Sequence, residues 1–160
     1  MMAVGKSTTG RALARHLGVR FVDTDELIEA RTGRTPRQLW ETGGEDAYRP
    51  LEREAVAEAL RSADPIVLAV PGGVAVDEAM AAQVGAANVT SVYLRASLAT
   101  LVRNVGPDAR HRPLLGDDPP AALARLLGER AGRYEALADH VVDVDGRTPE
   151  EVTAAVVDIV

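Results

Sequence analysis

Short apolar runs alternate with longer helical patterns along all 160 residues of this chain, and no other feature restricts its fold as much. Val19–Val22, Ile66–Val70, Val89–Leu94 and Val141–Val144 are rich in valine and of strand length. Between them lie helical stretches with their own punctuation. Ser7–Leu17 is stopped by Gly18, Glu26–Arg31 by Gly33, and Thr35-Pro36 opens a short helix through Trp40. A long helix follows Gly43-Gly44 to about Arg61, with Pro50 expected to bend it or mark its true start. Asp77–Val84, Ser97–Val105 and Leu123–Ala138 are further helices, and the capping box Thr148-Pro149-Glu150-Glu151 opens the last one. This spacing predicts a parallel sheet with helices on both faces, a three-layer α/β/α fold in a single domain over 1–160. The continuous run Ile66–Val70 reads as a buried strand within it.

Composition removes several classes of function. The chain has only five aromatic residues, which leaves few stacking platforms for single-stranded nucleic acid. A formal charge of −6 also opposes a polyanionic partner, although it permits a small phosphorylated ligand in a local basic pocket. Without cysteine there is no disulfide framework and no thiolate metal site. No apolar run approaches the ~20 residues needed to span a bilayer, and the start lacks a signal-peptide layout. A cytoplasmic protein with neither membrane nor nucleic-acid partners is expected.

Lys6 is the only lysine, and the other seventeen basic residues are arginine. It stands in Gly5-Lys6-Ser7-Thr8, directly before a helix, where a phosphate-binding loop needs it. There the ammonium reaches the β- and γ-phosphates, the Ser hydroxyl ligates Mg²⁺, and backbone N–H groups cradle the phosphates. The full pattern requires a glycine five residues before Gly5, a place that precedes Met1. A strand should also lead into such a loop and lie centrally in the sheet. Either upstream residues belong here or the sheet lacks its first strand. Losing about five buried residues at ~1.5–3 kcal/mol each would be comparable to a domain's whole ~5–15 kcal/mol of stability. Poor folding or an open slot in the sheet is therefore expected.

Asp23-Thr24-Asp25 closes the first apolar run, at the carboxyl edge where α/β proteins bind ligands. Strand alternation would put both aspartates on one side and Thr24 on the other. One carboxylate there can hold Mg²⁺ through water, and another can orient or deprotonate an alcohol attacking the γ-phosphate. Asp25 also qualifies as a helix N-cap.

With these residues in place, the chain resembles the shikimate kinase family from end to end. Gly5-Lys6-Ser7-Thr8 is similar to its phosphate loop and Asp23-Thr24-Asp25 to its D-[ST]-D. The stretch Gly44 to Glu52 resembles G-E-x-x-F-R-x-x-E, with Tyr48 in place of Phe and read as packing. Pro71-Gly72-Gly73 stands where the family has three glycines, and Arg112-Pro113-Leu114-Leu115 resembles its lid motif within a loop at about 106–120. Arg130 and Tyr134 resemble the R-x-x-x-Y of the helix after the lid.

The resemblance implies ATP- and Mg²⁺-dependent phosphorylation of a shikimate hydroxyl, a step toward chorismate and the aromatic amino acids, by a monomer. Arg49 and Arg130 would clamp the shikimate carboxylate, with Glu52 holding Arg49. Asp25 would position the attacking hydroxyl, and Gly72 and Gly73 would line the substrate pocket. Gly5, Lys6, Ser7 and Thr8 would bind ATP, with Ser7 and Asp23 on the metal side. Lys6 and Arg112 would neutralise the transferred phosphoryl group, and Arg110 or Arg103 would meet the adenine. Blander readings stay open: Arg49 and Glu52 as a surface pair, Arg130 on a solvated helix face, Trp40 buried against the substrate-side helices. So do two other functions, a kinase for a related cyclitol or sugar acid and a catalytically silent nucleotide-binding relative.

Overall fold

A computed structural model describes residues 1–86, 88–106 and 113–160. Helix α1 (Lys6–Leu17) leads to strand β1 (Arg20–Asp23), then α2 (Thr24–Thr32) and α3 (Pro36–Leu60). Strand β2 (Ile66–Ala69), α4 (Glu78–Ala86), β3 (Val92–Arg95) and α5 (Leu98–Val105) follow. A 3₁₀ turn at Pro113–Leu115 precedes α6 (Pro119–Leu137), β4 (His140–Asp143) and α7 (Pro149–Val157). The elements fall where the apolar pattern places them, with the expected stops: Gly18 and Gly33 adopt φ 66° and end α1 and α2. Helix α6 begins four residues earlier than its apolar pattern, because Asp118 caps it and Pro119 and Pro120 fit its first turn.

The strands form two parallel pairs. In one, Arg20 lies opposite Ile66 and Asp23 opposite Ala69; in the other, Val92 lies opposite His140 and Arg95 opposite Asp143. Among the described residues no ladder joins the pairs. The run Ile66–Leu68 is accordingly only half-buried, because β2 has a hydrogen-bonded neighbour on one side alone. One core nevertheless spans both pairs, from Leu13 and Val56 to Tyr93, Leu101, Leu123, Leu126 and Val152. Met1 and Val4 are buried in it, and the Ala3 carbonyl accepts a hydrogen bond from Asn104 at 2.9 Å. No described helix is long and apolar enough to cross a membrane.

The long helix is two segments. Gly44, at φ 66° and ψ −166°, breaks it, while the backbone stays helical through Pro50. The break thus falls at the residue that tolerates a left-handed φ, not at the proline.

Carboxylates tie down the exposed ends of β3 and β4. Asp139 accepts the Ser91 hydroxyl at 2.7 Å, Arg95 donates two bonds to Asp143, and Asp145 accepts the Ser97 amide at 3.0 Å. Each partner holds its carboxyl below the ordinary 3.8: Ser91 for Asp139, Arg95 for Asp143, and Thr100 then Ser97 for Asp145. A depressed folded-state pKa means stability that is present above the unfolded value and lost as pH falls through the folded one. Thermal melts should therefore be flat from pH 7 to about 5 and fall below about pH 4. Asp143→Asn should shrink that acid loss; a melting temperature that rose on acidification would overturn the assignment.

Candidate active site

The site begins at the N-terminus of α1. Gly5 caps it at φ 95° with no side-chain hydrogen bond, and its carbonyl accepts the Thr9 amide at 2.9 Å. The first turn holds no acidic residue, so its amides and the positive end of the helix dipole are suited to an anion. Lys6 is half-buried, and its ammonium donates to the Met1 carbonyl at 2.9 Å; Thr8 is exposed beside it.

Ser7 Oγ donates to Asp23 Oδ2 at 2.6 Å, which joins the two residues expected on the metal side. Asp23 Oδ1 accepts the Asp25 amide at 3.0 Å, so Asp23, not Asp25, caps α2. Strand β1 ends at Asp23, and alternation stops there. Asp25 is therefore in the first helical turn, open to solvent, while Thr24 is fully buried and donates to the Ala69 carbonyl at 3.2 Å. Among the described residues no cluster of three or more His, Asp or Glu forms a metal cage. A hydroxyl beside one carboxylate nevertheless suits Mg²⁺, which keeps its waters and takes further oxygens from phosphates.

Arg49 and Arg130 approach the Pro71-Gly72-Gly73 turn from two elements. Arg49 on α3 donates to Glu52 through Nη1 and to Glu45 through Nε at 2.9 Å, with its guanidinium 5.7 Å from the centre of Trp40. Its side chain is 12% exposed and that of Glu52 only 5%, so this is no surface pair. Burial pulls against the Arg49 charge, but Glu52 and Glu45 outweigh it and raise its pKa. Burial raises the Glu52 carboxyl despite the pull of Arg49.

Arg130 on α6 is 8% exposed, so it does not belong to a solvated face. Its Nη1 donates to the Gly72 carbonyl at 3.1 Å, and Tyr134 donates to the same oxygen at 2.5 Å. Arg130 Nε is buried with no hydrogen-bond partner, an orphan donor of the kind a ligand oxygen would satisfy.

Sequence reasoning missed three members of this arrangement. Tyr48 does more than pack: its hydroxyl donates to Asp25 Oδ1 at 3.1 Å. Glu45 is a second partner for Arg49, which their i,i+4 spacing could have revealed. Tyr134 was placed in a motif without a task, and it fixes the Gly72 carbonyl. Trp40 is half-buried, edge-on to Tyr48 at 5.8 Å between centres. Arg110 and Arg112 lie outside the described residues, and Arg103 donates to Thr100 Oγ1 at 3.2 Å on its own helix. A groove of about 440 Å³ between α1 and α7, lined by Arg15, His16, Pro149 and Glu150 among others, shares only Thr8 with the site.

A parallel α/β layer with a Gly-Lys-Ser helix start, a hydroxyl–carboxylate pair and an arginine-lined acceptor side defines a small-molecule kinase of the phosphate-loop class. The shikimate kinase family model matches residues 2–160, and the chain belongs to that family. A shikimate kinase of Thermobifida fusca is 46% identical over 147 residues, spanning 92% of this chain and 83% of its own length. One from Salinispora arenicola is 44% identical over 152 residues, 95% of this chain and 89% of the relative. Among solved structures, shikimate kinase from Acinetobacter baumannii in complex with shikimate superposes with a TM-score of 0.92 at 28% identity. The match covers 99% of this chain and 87% of that one.

Gly73 shows how tightly the acceptor side is built. A Cβ there would overlap the Arg49 guanidinium, lying 2.9 Å from its Cζ and 3.3 Å from Glu52 Oε2. Gly73→Ala should displace Arg49 and raise the acceptor KM about tenfold while leaving the ATP KM near its original value. Steady-state kinetics with each substrate varied would check this; an unchanged acceptor KM would show that Arg49 does not hold the acceptor.

Proposed function

We propose that this chain transfers the γ-phosphoryl group of ATP to a ring hydroxyl of shikimate, giving shikimate 3-phosphate for aromatic amino acid synthesis, with the following division of labour. Gly5, Lys6, Ser7 and Thr8 hold the phosphates of ATP through α1's first-turn amides and the Lys6 ammonium. Ser7 and Asp23 stand where Mg²⁺ would bind, and when present the ion screens the charge of the phosphates and spreads that of the transferred group. Asp25 accepts the proton of the attacking hydroxyl as its oxygen bonds to the γ-phosphorus; the bond to the bridging oxygen breaks and ADP leaves. Arg49 and Arg130 grip the shikimate carboxylate from either side of Gly72 and Gly73.

The single observation that carries the acceptor assignment is the buried, unpartnered Nε of Arg130, whose Nη1 meets the same turn as the Arg49–Glu52 pair. Two guanidinium groups converging on one loop match a carboxylate better than the neutral hydroxyls of a sugar, which favours shikimate over a neutral cyclitol. The retained Lys6, Asp25, Arg49 and Arg130 oppose a silent relative. Arg112 is assigned to ATP by the R-P-L-L motif alone, within a lid at about 106–120, and Arg110 and Arg103 both stay candidates for the adenine. The family resemblance favours a single-domain monomer, and the composition supports a cytoplasmic setting.

ADP release measured with shikimate, quinate, gluconate or no acceptor tests the reading. Turnover should depend on shikimate; none with shikimate from folded protein would sink it. Lys6→Ala should abolish turnover. Arg130→Ala should raise the shikimate KM about 10- to 100-fold, the worth of one or two charge-assisted bonds, while ATP binding stays nearly intact. Equal losses for both ligands would refute the clamp.

A further inference from the structure

We propose that Arg53 and Asp77 are positioning residues for the acceptor clamp: Asp77, held to α3 by Arg53, fastens the Gly72-Gly73 turn against the Arg49 guanidinium. The inference rests on the reading of Arg49 and Arg130 as the groups that grip the shikimate carboxylate.

The clamp is assembled from separate elements, so its geometry depends on how they are held in register. Arg49 is on α3, whereas the turn it packs against follows β2. The Gly72 carbonyl, which receives Arg130 from α6, belongs to that same turn. Its position therefore sets the spacing of both guanidinium groups.

Four residues on from Gly73, Asp77 bonds in three directions. Its amide and that of Val76 donate to the Gly73 carbonyl, each at 3.0 Å. Its Oδ1 accepts the Met80 amide at 3.0 Å and so caps α4. Its Oδ2 accepts Arg53 Nη1 at 2.7 Å. Arg53 lies one helical turn after Arg49 and directly after Glu52. One stretch of α3 thus holds the guanidinium through Glu52 and the turn packed on it through Asp77. A fully exposed ion pair would contribute little. The Asp77 side chain, however, is only 12% exposed, against 38% for Arg53, and the bond between them is charge-assisted. Without it the turn can relax away from α3, and a carboxylate meets two misplaced arginines. That loss falls on ground state and transition state alike, so it is read in KM rather than in kcat.

Arg53→Gln removes the cation from a partly exposed position, and Asp77→Asn keeps a side chain that caps helices well. Each should raise the shikimate KM about 5- to 10-fold, with kcat and the ATP KM changed less than about twofold. The double variant should lose no more than either single one, because both act through one bond. Arg53→Lys, whose ammonium can make the same single bond, should recover most of the loss, which a general loosening of the fold would not allow. An unchanged shikimate KM in Arg53→Gln, losses that multiply in the double variant, or equal losses for both substrates would overturn the inference. Arg130→Ala separates its failure from that of the clamp. If Arg130→Ala leaves the shikimate KM unchanged, the clamp reading fails and this inference fails with it. If Arg130→Ala raises that KM while Arg53→Gln and Asp77→Asn do not, only the Arg53–Asp77 inference is overturned. Should Asp77→Asn not fold, Arg53→Gln and Arg53→Lys decide the matter between them.

Discussion

Burial of the Arg49–Glu52 ion pair beneath Gly73 is the constraint around which the acceptor side is arranged. Both partners are largely withdrawn from water, and desolvating each ion costs several kcal/mol. Neither can lose the other, because one unpaired buried charge costs about 3–5 kcal/mol. The surrounding sequence follows from that demand. The two residues are three apart on one helix face, Gly73 leaves room for the guanidinium, and Glu45 accepts from Nε and Nη2. The break at Gly44 makes Glu45 the first residue of its helical segment, where a negative charge also suits the dipole. A ligand carboxylate bound there would meet an arginine whose direction is already fixed, so little ordering would remain to be done on binding.

Much of this was legible in the chain itself. Strand and helix identities followed from the apolar pattern and from glycine stops, and Arg49, Glu52, Gly72, Gly73 and Arg130 converge on one turn as their motifs implied. What stayed hidden were contacts between elements far apart in sequence. Tyr48 and Asp25 are 23 residues apart and meet only because α2 and α3 pack together. The capping role passed from Asp25 to Asp23 because β1 ends two residues earlier than a continued alternation supposes; Asp23 followed three residues later by Glu26 is the local capping signal that could have marked it. The start of α6 was hidden for a plainer reason: Asp118-Pro119-Pro120 is a good helix opening that also reads as loop composition. The half-exposure of β2 was legible only through the strand expected beside it.

The two prolines that depart from the family pattern are absorbed differently. Pro71 is buried just beyond the β1–β2 register, which ends at Ala69, so its absent N–H removes no ladder bond. Its carbonyl accepts the Val74 amide at 3.1 Å and helps close the turn that presents Gly72 and Gly73. Pro50 is exposed, on the side of α3 away from the ion pair. There it removes one intrahelical bond without moving the backbone out of helical dihedrals, and Arg49 keeps both carboxylate partners.

The remaining question is what makes two separate strand pairs behave as one site. The first pair supplies Asp23 and, just past β2, the Gly72 carbonyl. The second is bracketed by α5 and α6, and α6 carries Arg130. Tyr93 of β3 stacks on Tyr134 with centres 5.1 Å apart and planes at 25°, and Tyr134 donates to Gly72. A side-chain path therefore runs from β3 through α6 to the end of β2, and Arg130 reinforces its last step. Arg130, which would hold the acceptor, thus also adds a polar link to the common core that joins the halves. A carboxylate shared by Arg49, from the α3 side, and Arg130, from the α6 side, would add one more bridge between them. A ligand that binds only the assembled form stabilises it by RT ln(1 + [L]/Kd), so acceptor binding would tighten the fold where its sheet is weakest.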